Sequence, residues 1–119
     1  SLPIKIFILN NEYMGMVRQW QELLHDKNYS ESYTAALPNF VKLAEAYGCV
    51  GLRATKPEEL DDKIIEMINT DRPVIFDCLV DKQENCFPMI PSGKPHNQML
   101  LGPKDQKEKK ITGKGKTLV

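Results

Sequence analysis

Three short apolar runs, separated by segments with helical periodicity, limit what this chain of 119 residues can fold into. The runs cover residues 4–9 (IKIFIL), 49–54 (CVGLRA) and 73–80 (PVIFDCLV), and apolar residues barely alternate with polar ones in the first and the third. Such runs are typical of strands in a parallel sheet that is covered on both faces. We therefore expect three strands, of which the first, residues 4–9, is central and buried on both faces.

Apolar side chains recur every three or four residues in the segments between these runs. This period predicts one helix from residue 14 to about 27, a second over residues 39–47, and a third that ends near residue 69. The resulting order is β-α-α-β-α-β, in which helices connect parallel strands. The predicted fold class is therefore α/β, a parallel sheet with helices on both faces.

Residues at the helix ends support these boundaries. Asn39 is placed to cap the second helix, and Gly48 suits the left-handed residue that ends it. Thr55 and Glu58 have the T-x-x-E spacing of a capping box and predict the start of the third helix.

The composition changes after residue 80. Residues 81–102 contain three prolines and no clear period, and we expect them to form an ordered arm that lies over the α/β domain of residues 1–80. Residues 103–119 carry six lysines and almost no apolar side chain, which predicts a disordered tail. Because the chain begins with SLPIK and no initiator methionine, we expect it to be part of a longer protein.

The charge balance and the cysteines exclude several classes of function. Sixteen basic and sixteen acidic side chains cancel, so no net charge attracts nucleic acid or anionic lipid. No apolar run approaches the roughly 20 residues that cross a bilayer, and no secretory signal is visible. Cys49, Cys78 and Cys86 lack the spacing of a zinc site or a disulfide framework. Cys49 and Cys78 lie in apolar stretches, which indicates packed thiols in a reducing compartment, the cytoplasm.

Two asparagines, Asn10 and Asn11, end the first apolar run. Ligands of open parallel sheets bind beyond the carboxyl ends of the strands, and a carboxamide oxygen suits Mg²⁺. Gly15 follows at the turn into a helix, where backbone N–H groups favour a phosphate. This pattern predicts half of a diphosphate–metal site. An ordinary turn fits the spacing equally well, so both interpretations remain open at this point.

Three segments resemble one enzyme family. LNNEYMGMVRQWQELL (residues 9–24) is similar to the end of the thiamine-diphosphate motif of acetolactate synthase (acetohydroxyacid synthase) catalytic subunits. FVKLAEAYGCVGLRA (residues 40–54) resembles the segment that follows in that family, and PMIPSGK (residues 88–94) resembles its C-terminal arm. The resemblance covers residues 1 to about 102. It implies that residues 1–80 are the C-terminal part of a thiamine-diphosphate-binding domain.

The resemblance also implies an activity. Enzymes of this family are transferases that decarboxylate pyruvate and join the two-carbon unit to a second 2-keto acid, pyruvate or 2-ketobutyrate, in valine, leucine and isoleucine biosynthesis. They use thiamine diphosphate and Mg²⁺, and they are flavoproteins that bind FAD in a domain outside this chain. We expect a homo-oligomer with active sites at subunit interfaces and a small regulatory subunit. The enzyme would be cytoplasmic in a bacterium, and plastid or mitochondrial in a eukaryote.

Residue by residue, the resemblance assigns a metal and diphosphate site. The side-chain oxygen of Asn11 would bind Mg²⁺, and the backbone carbonyl of Tyr13 would add a second ligand. Asn10 would support the turn. The backbone that holds the diphosphate would be that of Met14, Gly15 and Met16.

The resemblance further assigns a substrate channel that is also a herbicide target. Trp20 matches a family tryptophan at the mouth of the channel, and Ser92 and Gly93 match the arm that closes over it. From helical spacing alone Trp20 fits a core position better, so the channel assignment depends on the resemblance. No catalytic residue is expected in this chain, because the Gly-Asp-Gly segment and the glutamate that activates the cofactor have no counterpart here. We expect the chain alone to be inactive.

Other sequence patterns give weaker evidence of function. His25 and His96 have no partner at metal or triad spacing and are expected at the surface, and GKGKT at residues 113–117 lacks the first glycine of a phosphate loop. Two other functions remain as alternatives. One is a different thiamine-diphosphate decarboxylase or carboligase, such as a glyoxylate carboligase relative. The other is a cofactor-free α/β binding or regulatory module.

Overall fold

The structure is a computed structural model that describes residues 2–105. Its helices and strands follow in the order β1 (Lys5–Asn10), α1 (Gly15–Leu24), α2 (Phe40–Ala46), β2 (Val50–Ala54), α3 (Leu60–Asn69) and β3 (Val74–Leu79). The predicted order β-α-α-β-α-β is therefore confirmed. Short 3-10 turns lie at Pro57–Glu59, His96–Gln98 and Pro103–Asp105. The rest of the predicted lysine-rich tail, residues 106–119, lies outside the described residues, and so does GKGKT.

The described residues form two compact units. Residues 2–13 and 34–83 make up the first unit, which holds the three strands with α2 and α3. Residues 14–33 and 84–105 make up the second, which holds α1 and the C-terminal arm.

The sheet of the first unit is parallel throughout, with the strand order β1-β3-β2. The expectation that residues 4–9 form a central strand buried on both faces is wrong, because β3 is the middle strand and β1 lies at an edge. Within residues 2–105, β1 has one neighbouring strand, so its side chains have fewer partners to pack against. Ile6 is 48% exposed and Leu9, which points to the other face, is 69% exposed.

Helices cover both faces of this sheet, as predicted. Leu60 and Ile64 of α3 pack against the buried cluster of β2 and β3 that includes Leu52 and Phe76. The neighbouring position in β2 is Gly51, which faces the other way. A Cβ built there would lie 2.7 Å from the Cα and the carbonyl oxygen of Val41 in α2, so α2 packs closely on this opposite face.

The core of the first unit lies around β3. Val74 and Phe76 are completely buried, and Cys78 is buried beside them, as predicted for its thiol. The ring of Phe76 meets the ring of Phe7 edge to face, with the two centroids 4.6 Å apart. Burying such side chains contributes roughly 1.5–3 kcal/mol each to folding, so the middle strand is the most firmly held of the three.

Of the three boundaries that residues at the helix ends predicted, two are confirmed and one is displaced, and α1 ends at Leu24 instead of near residue 27. The side-chain oxygen of Asn39 accepts hydrogen bonds from the N–H groups of Val41 and Lys42, and Gly48 has a φ of 71°. The capping box assigned to Glu58 is wrong. Its neighbour Glu59 accepts the hydrogen bond from the Thr55 N–H, because the capping box belongs to the 3-10 turn Pro57–Glu59, whose N-cap is Lys56, and α3 begins after this turn at Leu60.

Candidate functional site

The two asparagines after β1 have different surroundings. Asn10 uses both ends of its carboxamide within the protein. Its Nδ2 donates to Oδ1 of Asp77 at 2.9 Å, and its Oδ1 accepts from the backbone N–H of Glu12 at 3.1 Å. Asn10 therefore ties the turn that follows β1 to the middle strand of the sheet.

Asn11 is half-buried, and its Oδ1 accepts a hydrogen bond from the Tyr13 N–H at 3.1 Å. This is an Asx turn, in which the side-chain oxygen accepts a hydrogen bond from the backbone N–H two residues later and so mimics a backbone turn. A carboxamide oxygen has two lone pairs, and the bond to Tyr13 uses one of them. The Asn11 oxygen is thus held in a fixed direction and retains the capacity to bind a hard cation.

Glu12, between these residues, has the left-handed φ of 61°. Such a conformation is uncommon for a residue with a side chain and persists only when its surroundings hold it. Its carbonyl oxygen accepts from the N–H of Thr34 at 2.9 Å and from the Thr34 hydroxyl at 2.6 Å. Its carboxylate forms an ion pair with Lys82. The turn is therefore fixed at its backbone and at its side chain.

Asp77 is the buried charge beneath this turn. Its side chain is 0% exposed, and its Oδ2 accepts from Nε of Arg53 at 2.9 Å and from Nη2 at 2.8 Å. Burial, followed by the nearby Asp77 charge, raises the pKa of the Cys78 thiol above its ordinary value. The thiol therefore stays neutral, and the acidic group next to it is satisfied by a guanidinium and a carboxamide.

Sequence reasoning missed Asp77, Arg53, Thr34 and Glu12. One signal was present, since Asp77 is the single charged residue inside the apolar run of residues 73–80, and a buried acid must be paired. The identity of its partners carried no local signal, because Asn10 lies 67 positions away along the chain.

In the second unit, α1 begins at Gly15 with an unusual terminus. The preceding residue, Met14, donates its N–H to the carbonyl of Ser32 at 2.8 Å and accepts from the Arg18 N–H at 2.9 Å. Within residues 2–105, no side chain caps this helix, and its first turn holds no acidic residue. The first N–H groups of a helix have no intrahelical acceptor, so this terminus favours an anion.

Trp20 lies on α1 and is 50% exposed. The core position that its spacing favoured is therefore wrong. On the same helix, Arg18 is buried and pairs with Glu22 at 2.8 Å and with Oδ1 of Asn85 at 2.6 Å. Burial, with a further contribution from the Glu22 charge, raises the pKa of the neighbouring Tyr29 phenol.

Besides the hydrogen bond from Arg18 to Asn85, two further contacts hold the arm of the second unit. Gln19 of α1 binds the backbone of Cys86 through both atoms of its side-chain amide, and Met89 pairs with Leu100 as an antiparallel bridge. Between them, the Lys94 N–H donates to the Pro91 carbonyl at 3.0 Å. This bond closes a turn that exposes Ser92 and Gly93, with Gly93 at a φ of 74°.

The predicted site residues thus fall into both units. Asn11 and Tyr13 end one segment of the first unit. The second unit holds the rest of the set, namely Met14, Gly15, Met16, Trp20, Ser92 and Gly93. His25 and His96 are exposed, as expected. Across the described part of the chain, no group of three or more His, Cys, Asp or Glu side chains forms a metal cluster, and no helix is long and apolar enough to span a bilayer.

Comparison with known proteins assigns the chain to a class. Residues 1–78 match the family described as thiamine pyrophosphate enzyme, C-terminal TPP binding domain. The chain belongs to this family of thiamine-diphosphate-binding domains.

The relatives narrow the class to one group of enzymes. The chain is 49% identical over 101 residues to the acetolactate synthase large subunit of Cyanidium caldarium, covering 84% of this chain and 17% of that protein. It is 48% identical over 98 residues to the mitochondrial acetolactate synthase catalytic subunit of Saccharomyces cerevisiae, covering 82% of this chain and 14% of that protein. It is 41% identical over 104 residues to the acetolactate synthase isozyme 3 large subunit of Escherichia coli, covering 85% of this chain and 18% of that protein. The predicted resemblance to acetolactate synthases is confirmed, and the chain spans less than a fifth of these relatives' lengths.

Proposed function

We propose that this chain is the C-terminal part of the cofactor-binding domain of an acetolactate synthase. The full enzyme would decarboxylate pyruvate and transfer the two-carbon unit to pyruvate or 2-ketobutyrate, in the synthesis of valine, leucine and isoleucine. The observation that carries the proposal is the Asn11 turn. It directs a carboxamide oxygen from the carboxyl end of a parallel strand, in a chain whose relatives are acetolactate synthases.

The turn fits Mg²⁺ in its chemistry. Mg²⁺ prefers oxygen ligands and is bound by a few protein groups together with waters and phosphate oxygens. The Oδ1 of Asn11 and the backbone carbonyl of Tyr13 would be two of these ligands. A neutral pair suits the site, since a diphosphate already carries negative charge. Asn10 is a poorer ligand than Asn11, because Asp77 and Glu12 occupy both ends of its carboxamide.

The start of α1 fits a diphosphate. Its first turn has neither a side-chain cap nor an acidic residue. The backbone around Met14, Gly15 and Met16 would hold the diphosphate, with the N–H groups of Gly15 and Met16 donating to its oxygens, since the Met14 N–H already donates to Ser32. By contrast, α3 carries Asp61 and Asp62 in its first turn, which would repel such a group. When bound, thiamine diphosphate supplies the electron sink for decarboxylation, and the residues of this chain bind and orient it.

The second unit would contribute to the substrate channel. The half-exposed indole of Trp20 and the exposed turn at Ser92 and Gly93 are available to contact a 2-keto acid or a herbicide. FAD would be bound outside this chain. The active enzyme would be a homo-oligomer with active sites at subunit interfaces and with a small regulatory subunit. It would be cytoplasmic in a bacterium, and in a plastid or mitochondrion in a eukaryote.

The experiment uses the full-length enzyme that contains this chain. Asn11→Ala should raise the Mg²⁺ concentration needed to bind thiamine diphosphate, measured by calorimetry, and leave far-UV circular dichroism unchanged. Asn69→Ala, which removes an exposed carboxamide at the end of α3, is the matched control. Unchanged Mg²⁺-dependent cofactor affinity in Asn11→Ala would reject the metal assignment.

The two alternatives fare differently. A cofactor-free module disagrees with the match of residues 1–78 to a thiamine-diphosphate-binding domain. A different carboligase is separated by product analysis with pyruvate as the single substrate. Formation of 2-acetolactate supports the proposal, and its absence with retained cofactor binding favours the other carboligases.

A further inference from the structure

We propose that Asp77 is a positioning residue for the metal-binding turn, acting through Asn10 on the backbone that directs the Asn11 oxygen. This inference rests on the proposed function of that turn. Asp77 would not contact the metal or the cofactor. Its role would be to fix the orientation of a neighbouring carboxamide.

The first step is the burial of a negative charge in the carboxyl half of the middle strand. Asp77 is completely buried and accepts hydrogen bonds from Arg53 of β2 and from Asn10 of β1. In the sheet register it lies directly between Ile8 and Arg53. Asn10 lies two residues beyond Ile8, so its side chain extends from the same face of the sheet.

The second step is the direction of the Asn10 carboxamide. A carboxylate only accepts hydrogen bonds, so Asp77 selects the Nδ2 side of Asn10 and turns its Oδ1 toward the Glu12 N–H. Without the Asp77 carboxylate, either Oδ1 or Nδ2 of Asn10 could face the Glu12 N–H. If Nδ2 faced it, the Glu12 N–H would lose its hydrogen bond.

The third step carries this constraint to Asn11. The N–H of Glu12 is held by Asn10, and its carbonyl is held by Thr34. On the other side, the Asn10 carbonyl accepts from the Val80 N–H at 3.1 Å. Asn11 therefore lies between two residues with hydrogen-bonded backbones, and its own Oδ1 is directed by the Tyr13 N–H. Groups that orient a metal ligand typically change metal affinity by about 10- to 100-fold when they are mutated.

A purely structural role predicts a different outcome. A buried ion pair is often replaced by apolar residues with no loss of stability, because removing charges from water is costly. If Asp77 only stabilised the sheet, its removal would alter unfolding and leave Mg²⁺ affinity at the level of any equally destabilised variant. Affinity and stability must therefore be measured separately.

The test compares variants of the full-length enzyme that contains this chain. The half-saturating Mg²⁺ concentration for thiamine diphosphate binding is measured by calorimetry, and the unfolding midpoint is measured in urea. Asp77→Leu should raise the half-saturating concentration by roughly 10- to 100-fold. Met67→Ala, which truncates a buried side chain of α3, should lower the unfolding midpoint without changing this concentration.

A double-mutant cycle tests the route through Asn10. If Asp77 acts through Asn10, then Asn10→Ala should reproduce the effect of Asp77→Leu, and the double variant should be no worse than either single one. If Asp77→Leu does not fold, Asp77→Asn takes its place in the cycle. Effects on Mg²⁺ affinity that multiply in the double variant would overturn the inference, as would an equal loss in Met67→Ala.

Asn11→Ala separates this inference from the proposed function. If Asn11→Ala loses Mg²⁺ affinity while the Asp77 and Asn10 variants keep it, the positioning role is wrong and the metal site stands. If Asn11→Ala also keeps its affinity, the metal site itself is wrong, and the role of Asp77 fails with it.

Discussion

Gln19 and Cys86 are joined by two hydrogen bonds that run in opposite directions. The Gln19 Oε1 accepts from the Cys86 N–H at 2.7 Å, and its Nε2 donates to the Cys86 carbonyl at 3.1 Å. One buried side-chain amide thus satisfies both backbone groups of one arm residue, as a neighbouring strand would. The same Nε2 lies 3.0 Å from the sulfur of Met89. Gln19 therefore links α1 to the arm within the second unit, next to the hydrogen bond from Arg18 to Asn85.

Gln19→Ala should loosen the arm around Cys86. Leaving buried backbone groups unsatisfied costs about 1–3 kcal/mol each, so amide hydrogens in residues 84–90 should exchange faster with solvent. Hydrogen-exchange mass spectrometry on the corresponding peptide measures this. Gln21→Ala is the matched control on the same helix, because Gln21 donates to the Ser30 carbonyl and not to the arm. Unchanged exchange in Gln19→Ala would contradict the link.

Gly51→Ala should destabilise the first unit. The added Cβ would lie 2.7 Å from backbone atoms of Val41, and backbone cannot move aside as a side-chain end can. Overpacking of this kind costs roughly 1–3 kcal/mol, which a lower urea midpoint would reveal. In Gly102→Ala the Cβ meets nothing within 4 Å, so its midpoint should stay the same or rise slightly. Equal midpoints for the two variants would show that α2 can shift without cost.

Glu59→Gln should loosen the start of α3 at neutral pH but not in acid. The hydrogen bond from the Thr55 N–H, followed by that from Lys56, lowers the pKa of the Glu59 carboxyl below its usual value. A lowered folded-state pKa means that this carboxylate stabilises the fold above its unfolded pKa. The contribution is lost as the pH falls through the folded pKa.

Hydrogen exchange of residues 54–62 checks this, with rates corrected for the intrinsic effect of pH. At pH 7, Glu59→Gln should exchange faster than the wild type, and the difference should shrink as the pH falls through the lowered pKa of Glu59. Glu58→Gln changes the neighbouring carboxylate, which makes no hydrogen bond to Thr55, and serves as the control. A difference that persists in acid would mean that the charge of Glu59 is not what holds the turn.

Glu12→Val should disturb the turn after β1. A β-branched residue at the left-handed φ of 61° is strained by about 1–3 kcal/mol, and this substitution also removes the ion pair with Lys82. Amide exchange in residues 10–14 should therefore accelerate. Glu12→Gly also loses the ion pair but accepts the backbone conformation, so it should exchange more slowly than Glu12→Val. Equal exchange in the two variants would show that the ion pair, and not the backbone conformation, controls the turn.

Local features of the sequence predicted the order of elements correctly, because helical period, caps and apolar runs depend on neighbouring residues. The Asn39 cap and the left-handed Gly48 are examples. The position of β1 in the sheet was missed because it does not depend on neighbouring residues in the sequence. An apolar run records how hydrophobic a strand is, whereas its place in the sheet depends on how many strands pair with it.

The same distinction applies to the site. The Asn10–Asn11 pair and Gly15 were visible as a motif, since they lie within six residues of one another. That Asn10 supports the turn through Asp77 required the parallel register of β1 and β3, which no local pattern contains. The shift from Glu58 to Glu59 was missed because a 3-10 turn and an α-helix begin with similar residues.

The position of Asp77 in β3 also favours the native register of the three strands. Side chains alternate between the two faces of a sheet, so a slip of β3 by one residue would turn every side chain of that strand around. The carboxylate would then be carried to the face where α3 packs, away from Arg53 and Asn10, and Phe76 would leave the apolar cluster. A shifted register would thus leave the Asp77 carboxylate unpaired and remove the Phe76 ring from the apolar cluster. Such registers would be less stable than the native one while the sheet forms.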